Sequence, residues 1–544
     1  MLVTTTHCSR QDLPDFSTYS DDDFEISWTG HAFVPGQRQG HDSIAEFANR
    51  LRCESIESVA VQLRGVYLCL VRNLATKTLD VFVDPAGLRA AYRTPTLACS
   101  SFLEIMNLGS EHYGAISTKG VVEWFALGGL YFGRTFATNV NTIGRDQILR
   151  FREGQAGYEL VSKLDMSLES QPVIGRLDYF QSLAKALDGA DVTVDLTGGV
   201  DSRYTAVMLK HFGCQFSVGL ASRPDHPDAI VSGQIAKQLG VSQILVDHQW
   251  SDLEQEIRQV YVDQDGISNP ISLFRPHQYV RELKRQGVDV NVQSIGETYK
   301  DWPWYQDFPF YGSRETNLQR FFNYRIYSIK LPKETLHADL RPLFLQWPDQ
   351  FVQEMEAFRY WRNTTSYDAA IVFGKGPAAI SKGITCRSRF VGMSVPFFDL
   401  DLLREATQMS PWKRPLDRIY RHDITRVNPD VAKTKTIEGL TVSDQGWDML
   451  VDSLRMGKFV SKRVLKVAGR KLFGKSFFQT PADSTQFLHE VHRLKLLDDC
   501  VARLQRHKIL SNEIARSVVH SRAGAIITLG LLLESLGDSI SFGD

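Results

Sequence analysis

DVTVDLTGGVDSRYTAVMLKHFG, residues 191–213, is the stretch on which the reading of this chain turns. A β-branched, apolar run (Val192, Thr193, Val194) meets a glycine turn, and apolar positions then recur at helical spacing. The pattern predicts a buried strand, a tight loop and an amphipathic helix. Gly198 and Gly199 let the backbone approach an anion closely, while the first helical N–H groups and the hydroxyls of Thr197 and Ser202 can donate to phosphate oxygens. The loop therefore suits a pyrophosphate. It is not a P-loop, because no Lys follows the glycines, nor does it have the spaced glycines of the dinucleotide fingerprint. The bland alternative is an ordinary helix-capping turn, with Asp201 favoured by the helix dipole; the flanking sequence argues against it.

On one side, DYFQSLAKALDGA (178–190) reads as a helix leading into the strand. On the other, CQFSVGL (214–220), PDAIVSGQIAKQLG (227–240) and QILVDH (243–248) repeat strand, helix, strand, the signature of a parallel α/β sheet. Upstream, SVAVQLRGVYLCLVRN (58–73) and TLDVFVDPAGLRAAYRT (78–94) alternate apolar stretches with turn signals, which predicts an antiparallel β-rich domain ending near Asp165. Beyond Asp301 the chain is aromatic and helical in character, with no second α/β repeat expected.

At 544 residues, 43% of them hydrophobic, the chain is long enough for two or three domains. Lys and Arg number 62 against 63 Asp and Glu, so no global field draws the protein to nucleic acid or an anionic membrane. The seven cysteines are scattered and form no Cys-x-x-Cys pair, which suits a reduced, cytoplasmic compartment. The N-terminus shows no signal pattern. AIITLGLLLESL (525–536) falls short of the roughly 20 residues of a membrane span, so no transmembrane segment is expected.

The loop resembles the Ser-Gly-Gly-x-Asp-Ser loop of the N-type ATP pyrophosphatases, with Thr197 keeping the first hydroxyl. Together with other segments it makes the chain similar to the asparagine synthetase family over most of its length. Leu63-Arg64-Gly65-Val66-Tyr67, Asp84-Pro85-Ala86-Gly87, Tyr92 and Gly133-Arg134-Thr135-Phe136 are similar to the family's N-terminal domain. Ser217-Val218-Gly219-Leu220 resembles the second synthetase strand, and Asp228 the acidic start of the next helix. VDVNVQSIGETYKD (288–301) looks like the strand ending in Ser-Gly-x-Gly-x-Asp-Glu. Keeping Ser294 in register puts Tyr299-Lys300 at Asp-Glu, and a slip of one restores Gly296 and brings Asp301 to the Glu. VGMSVPFFDLDLLREA (391–406) retains Pro396, Phe397 and Asp399 of the family's Pro-Phe-x-Asp segment but carries Gly392 and Ser394 at its Glu and Arg positions. In NPDVAKTKTIEG (428–439), Lys433 and Lys435 stand for Arg and Lys.

The resemblance implies an α/β fold. An adenine-nucleotide α-hydrolase-like (ATP pyrophosphatase) parallel-sheet domain (175–445) would carry a helical, basic C-terminal extension (446–544), behind an antiparallel α+β Ntn-like domain (1–165) of the class II glutamine amidotransferase kind. It implies ATP and Mg2+, with Leu196, Thr197, Gly198, Gly199, Asp201, Ser202, Val218 and Ser294 at the nucleotide. Magnesium would sit on Asp201 with Glu297 or Asp301, and Lys435 would stabilise charge during adenylation. Tyr299 would help deprotonate the amine. The reaction implied joins a small-molecule or peptide carboxylate to an amine or ammonia, with a pathway partner protein as a further expectation.

One departure bears on the nitrogen source. Family members that hydrolyse glutamine place Cys directly after the initiator Met, whose removal frees the α-amine as base; Leu2 stands there, and the family's Asn-Gly-Glu segment is not found. A degenerate glutaminase is expected, as in lasso-peptide cyclases and β-lactam synthetases. The alternatives are asparagine formation from aspartate with ammonia, and a non-catalytic binding or scaffold relative. Three further features carry bland readings beside sharper ones. Residues 454–478 hold eight basic residues and no acidic one, which suits a solvated face or a lipid-facing helix. DWPWYQDFPFYG (301–312) suits core or pocket wall, and His489 with His492 suits a polar helix surface or half of a metal site.

Overall fold

A computed structural model describes residues 2–3, 8–9, 16–248, 250–454, 482–537 and 540–543. The basic stretch beyond Leu454 lies outside them. Five parallel strands form the sheet that holds the loop, in the order Gln243–Leu245, Ser217–Leu220, Val192–Asp195, Val290–Val292, Gly392–Ser394. The chain enters at the middle strand and runs through the helices Val200–His211 and Pro227–Leu239 to one edge. It then returns to build the other side. The loop after Val192–Asp195 thus sits where successive connections leave in opposite directions, the crevice in which open α/β sheets bind ligands.

The sequence predicted four of these strands. The fifth, Gly392–Ser394, pairs with Val290–Val292 and is a single strand beyond Asp301 that the sequence reading did not give. Three residues reading Gly-Met-Ser give neither a period of two nor a β-branched run, and the sheet neighbour supplies what the local sequence lacks.

The N-terminal part is antiparallel, as expected. Six strands run Glu159–Ser162, Gln147–Arg152, Thr78–Val83, Arg64–Asn73, Phe24–Phe33, Phe16–Ser20, and a second sheet of two-residue strands includes Leu2–Val3 between Ala98–Cys99 and Cys8–Ser9. Gly30 and Gly65 have φ of 93° and 106°, and a Cβ on Gly65 would lie 2.1 Å from the His31 carbonyl oxygen, so the two central strands cross here only with glycine.

The two sheets are joined by a buried charge cluster. Arg64, 3% exposed, pairs with Asp401 and, at 3.4 Å, with Asp399. Asp399 also accepts the Asp401 N–H and caps the helix Leu400–Gln408. Two segments that carried the family resemblance, Leu63-Arg64-Gly65 and Pro396-Phe397-x-Asp399, therefore meet each other.

The C-terminal part is helical. Ala523–Leu536, the apolar run too short for a membrane, is buried along most of its length, with the Thr528 hydroxyl donating to the Ser268 carbonyl and the Trp124 indole to the Ala525 carbonyl. Phe542–Gly543 adds a parallel strand to Ile116–Ser117. One hydrophobic core accordingly takes residues from all three predicted domains, Phe125, Trp347 and Leu532 among them. Among the described residues no helix is long and apolar enough to cross a membrane.

Candidate functional site

Thr197, Gly198 and Gly199 form the predicted turn, and Val200 opens the helix Val200–His211. The turn is fixed by its own side chains. Thr197 N–H donates to Ser202 Oγ at 3.1 Å, and Gly199 N–H to Thr197 Oγ1 at 3.2 Å. Gly198 N–H donates to Asp228 Oδ1 at 2.8 Å. The N–H groups of Val200, Asp201 and Ser202 meet no acceptor among the described residues, which leaves the positive end of the helix available to an anion. A Cβ on Gly198 would come within 2.9 Å of both Asp228 Oδ1 and Ile437 Cγ2, so a larger residue there would have to displace those side chains. Leu196 is buried in the core beneath, its N–H donating to the Gly219 carbonyl.

Ile437 belongs to the segment that carries Lys435. Arg203, fully buried on the loop's own helix, ties that segment down: it donates to the carbonyls of Thr434 (2.5 Å), Val431 (3.2 Å) and Gly198 (3.4 Å). Burial pushes the Arg203 guanidinium down to about 10. Lys433 and Lys435 are exposed, and Lys435 meets no hydrogen-bond or ion-pair partner among the described residues. The backbone on either side of Lys435 thus packs against the loop and its helix, held by a residue the sequence analysis passed over.

Asp201 lies at the head of the helix against Gly296, whose Cβ, were there one, would stand 2.9 Å from the carboxylate and 2.4 Å from the Tyr420 hydroxyl. Lys300 Nζ donates to Asp201 Oδ2 at 2.6 Å, while Asp201 Oδ1 is buried without a partner. Burial raises the Asp201 carboxyl above the usual range and Lys300 opposes the rise. Two more carboxylates face this cluster. Burial pushes Asp417 up to about 6, with Lys300 lowering it and Asp201 and Asp301 adding to the rise. Asp417 and its neighbour Leu416 both adopt left-handed backbone, at φ of 56° and 60°. Asp301 is likewise raised by burial and accepts from the Tyr311 hydroxyl at 3.4 Å.

The residues at hand fit a magnesium ion in one respect, the unpartnered buried Asp201 Oδ1. No three Asp, Glu, His or Cys side chains among the described residues converge enough to hold a metal unaided, which suits an ion that keeps water and phosphate ligands. The side chain of Glu297 lies outside what is described. Ser294 Oγ is buried and unpartnered at the end of its strand.

Two assigned residues are placed elsewhere. Tyr299, 1% exposed, stacks between Phe397 and Tyr420 and donates to the Leu402 carbonyl at 3.1 Å; burial holds its hydroxyl far above its ordinary value, so it packs the core and is not set to accept an amine proton. Val218 has its side chain in the core and its N–H on the Ser242 carbonyl, so its amide is committed to the sheet; the strand's mouth is at Leu220. Gly219 has a different reason to be glycine: a Cβ there would lie 2.0 Å from the Tyr279 hydroxyl. That hydroxyl donates to Asp195 at 2.8 Å, and Asn291 and Gln293 donate to the same carboxylate at 2.7 and 2.8 Å, stitching the strands beneath the loop.

The aromatic stretch divides. Trp304 and Tyr311 are core, with the Trp304 indole on Asp368, while Tyr305, Phe308 and Phe310 are exposed. His492 stacks on His520 at 4.0 Å and not on His489. Burial pushes the thiols of Cys214 up to about 11 and of Cys386 and Cys500 up to about 12, and raises Cys69 and Cys99 further, so none of these five is a thiolate. Cys53 is exposed, and the side chains of Leu2 and Cys8 lie outside those described.

No curated protein matches the chain. The asparagine synthase family model matches residues 181–296, from within the helix Arg176–Ala186 through the loop to Gly296, the residue that abuts Asp201. The match takes in four of the five parallel strands and stops short of Lys300, Asp417 and Lys435. With the parallel sheet and the loop at its switch point, this match gives the chain an asparagine synthase-like domain over residues 181–296.

Proposed function

We propose that this protein forms an amide by adenylating a carboxylate. A carboxylate does not acylate an amine at neutral pH, so its oxygen first attacks the α-phosphorus of ATP, and the bond to pyrophosphate breaks. The amine nitrogen then attacks the activated carbonyl, loses a proton, and AMP leaves with the oxygen it gained. The observation that carries this reading is the loop itself: three unclaimed amides at a helix start, beside exposed Lys435, at the switch point of a parallel sheet.

In this reading the amides of Val200, Asp201 and Ser202, with the Thr197 hydroxyl, hold the pyrophosphate oxygens, and Asp228 gives up the Gly198 amide to them. Lys435 stabilises the charge that develops at the α-phosphate. Asp201, with Asp301 or Glu297, holds magnesium, which when bound supplies positive charge to the pyrophosphate side. Arg203 keeps Lys435 in place. In this reading the amine is ammonia or part of the substrate. Aspartate with ammonia remains one pair among those to be tried, and a cytoplasmic location accords with the reduced thiols. One observation favours a non-catalytic relative instead: Lys300 already occupies the carboxylate that would hold the metal.

Pyrophosphate release from ATP and magnesium is the test, across aspartate, other amino acids, sugar acids and precursor peptides, with ammonium, glutamine or no added amine. Release that requires an acid, proceeds with ammonium and ignores glutamine supports the proposal. Stimulation by glutamine overturns the lost glutaminase, and ATP binding without release under every condition favours the non-catalytic reading.

A further inference from the structure

Between the N-terminal sheets and the helices of residues 355–387 lies a cavity of about 420 Å3 that none of residues 196–202 lines. Four cations face it: Arg89, Arg93, Arg145 and Lys382. The one carboxylate in its wall is that of the exposed Asp146. Among the described residues no acid lies within ion-pair distance of any of the four. Arg89 spends its guanidinium on the Thr385 carbonyl and the Ser388 hydroxyl, with Nε unpartnered. Arg93 donates to the Tyr158 hydroxyl at 3.1 Å and its Nε is also buried and unpartnered. Arg145 lies over the Phe373 ring at 3.4 Å and reaches only the Pro85 and Met166 carbonyls, at 3.4 and 3.5 Å. Lys382, 5% exposed, has only the face of Tyr92 at 5.0 Å. Of the buried acids around it, Asp84 accepts the amides of Ala86, Leu88 and Arg89, and Asp265 is engaged by Ser101, the Phe102 and Leu103 amides and Arg389.

Buried cations are ordinarily paired, because an uncompensated one costs several kcal/mol, on the order of the penalty of ion burial. Burial accordingly lowers Lys382 to about 8 and Arg89 and Arg145 to about 10. The lining also holds Phe132 and Phe358, stacked at 5.8 Å, and Phe373 beneath Arg145. Four cations interspersed with aromatic rings, in a volume within the range of small-ligand sites, describe a receptor for a compact organic anion. We propose that this cavity binds a small, multiply charged organic anion, a phosphate monoester or a polycarboxylate, at a site separate from the nucleotide loop.

Calorimetric titration of the full chain with citrate and with inorganic phosphate, against chloride at matched ionic strength, tests this. The expected result is one saturable site for citrate or phosphate, weakened at least tenfold in Lys382→Met and in Arg93→Met, with Thr197→Ala binding as the parent does. The tighter of the two anions tells carboxylate from phosphoryl recognition. Because Lys382 is buried and its variant could misfold, Arg93→Met, at a partly exposed residue, is decisive by itself. No saturable binding, binding indifferent to Arg93→Met, or binding that weakens with Thr197→Ala and so belongs to the loop, each overturns the proposal.

Discussion

Arg64→Met strips the buried cluster between the two sheets of its cation. Arg64 is 3% exposed and Asp399 and Asp401 are 7% and 0% exposed, so the carboxylates left behind cannot be rehydrated without opening the contact. Removing one partner of such a pair costs about 3–5 kcal/mol. Burial pushes Asp399 up to about 7 from an ordinary 3.8, with Arg64 opposing and Asp401 adding to the rise. Its folded form therefore holds a proton that the unfolded chain releases. The associated stability is full below about pH 3.8 and is lost by about pH 7, at about 1.4 kcal/mol per pH unit. Without Arg64 the folded value rises further, and the loss continues above pH 7. The variant should therefore be nearly tolerated at pH 5 and fail by the full amount near pH 8. Urea denaturation at the two pH values, followed by tryptophan fluorescence, measures this, and Arg64→Met/Asp401→Asn should recover part of it. A cost below about 1 kcal/mol, as for an exposed pair, or one that is the same at both pH values, refutes the reasoning.

Lys300→Met frees Asp201 of its resident cation; turnover should then require less magnesium, read as a several-fold fall in the metal midpoint for pyrophosphate release, and an unchanged midpoint removes Lys300 from the site. Gly219→Ala should drive the Tyr279 hydroxyl from Asp195 and cost about 1–3 kcal/mol by overpacking, visible in thermal unfolding. Lys435→Ala should lower turnover about 100-fold or more, the effect of losing one charge-stabilising donor, with the melting temperature unmoved because Lys435 is exposed. Arg203→Met should lower turnover as well but should also loosen residues 431–437, seen as faster amide exchange there.

The strand, turn and helix around residues 191–213 were legible because each carries a local signal: β-branched run, paired glycines, helical period. Antiparallel pairing at residues 64–83 was legible for the same reason. The fifth parallel strand was not, since Gly392–Ser394 is strand only by virtue of Val290–Val292 beside it. At the site, Lys435 could be located by resemblance, but its tether Arg203 gives no signal in sequence, because its three carbonyl acceptors come from Gly198 and from residues more than two hundred positions away. Tyr299 illustrates the converse. Its position beside the acidic motif suggested chemistry, whereas the aromatic neighbours that bury it, Phe397 and Tyr420, are distant in the chain. Asp417 was invisible for want of any motif, and neither register offered for residues 294–301 foresaw Gly296 against Asp201 with Lys300 reaching the same carboxylate.

Adenylation is tested most directly by following oxygen. With the acid that supports pyrophosphate release supplied as its 18O-carboxylate, mass spectrometry of the nucleotide product should find one 18O in AMP, carried over when the amine displaces the adenylate. Label appearing in inorganic phosphate with ADP as the nucleotide product would mean activation at the γ-phosphate, and unlabelled AMP would mean that ATP is cleaved without ever joining the carboxylate; either would contradict an acyl-adenylate ligase.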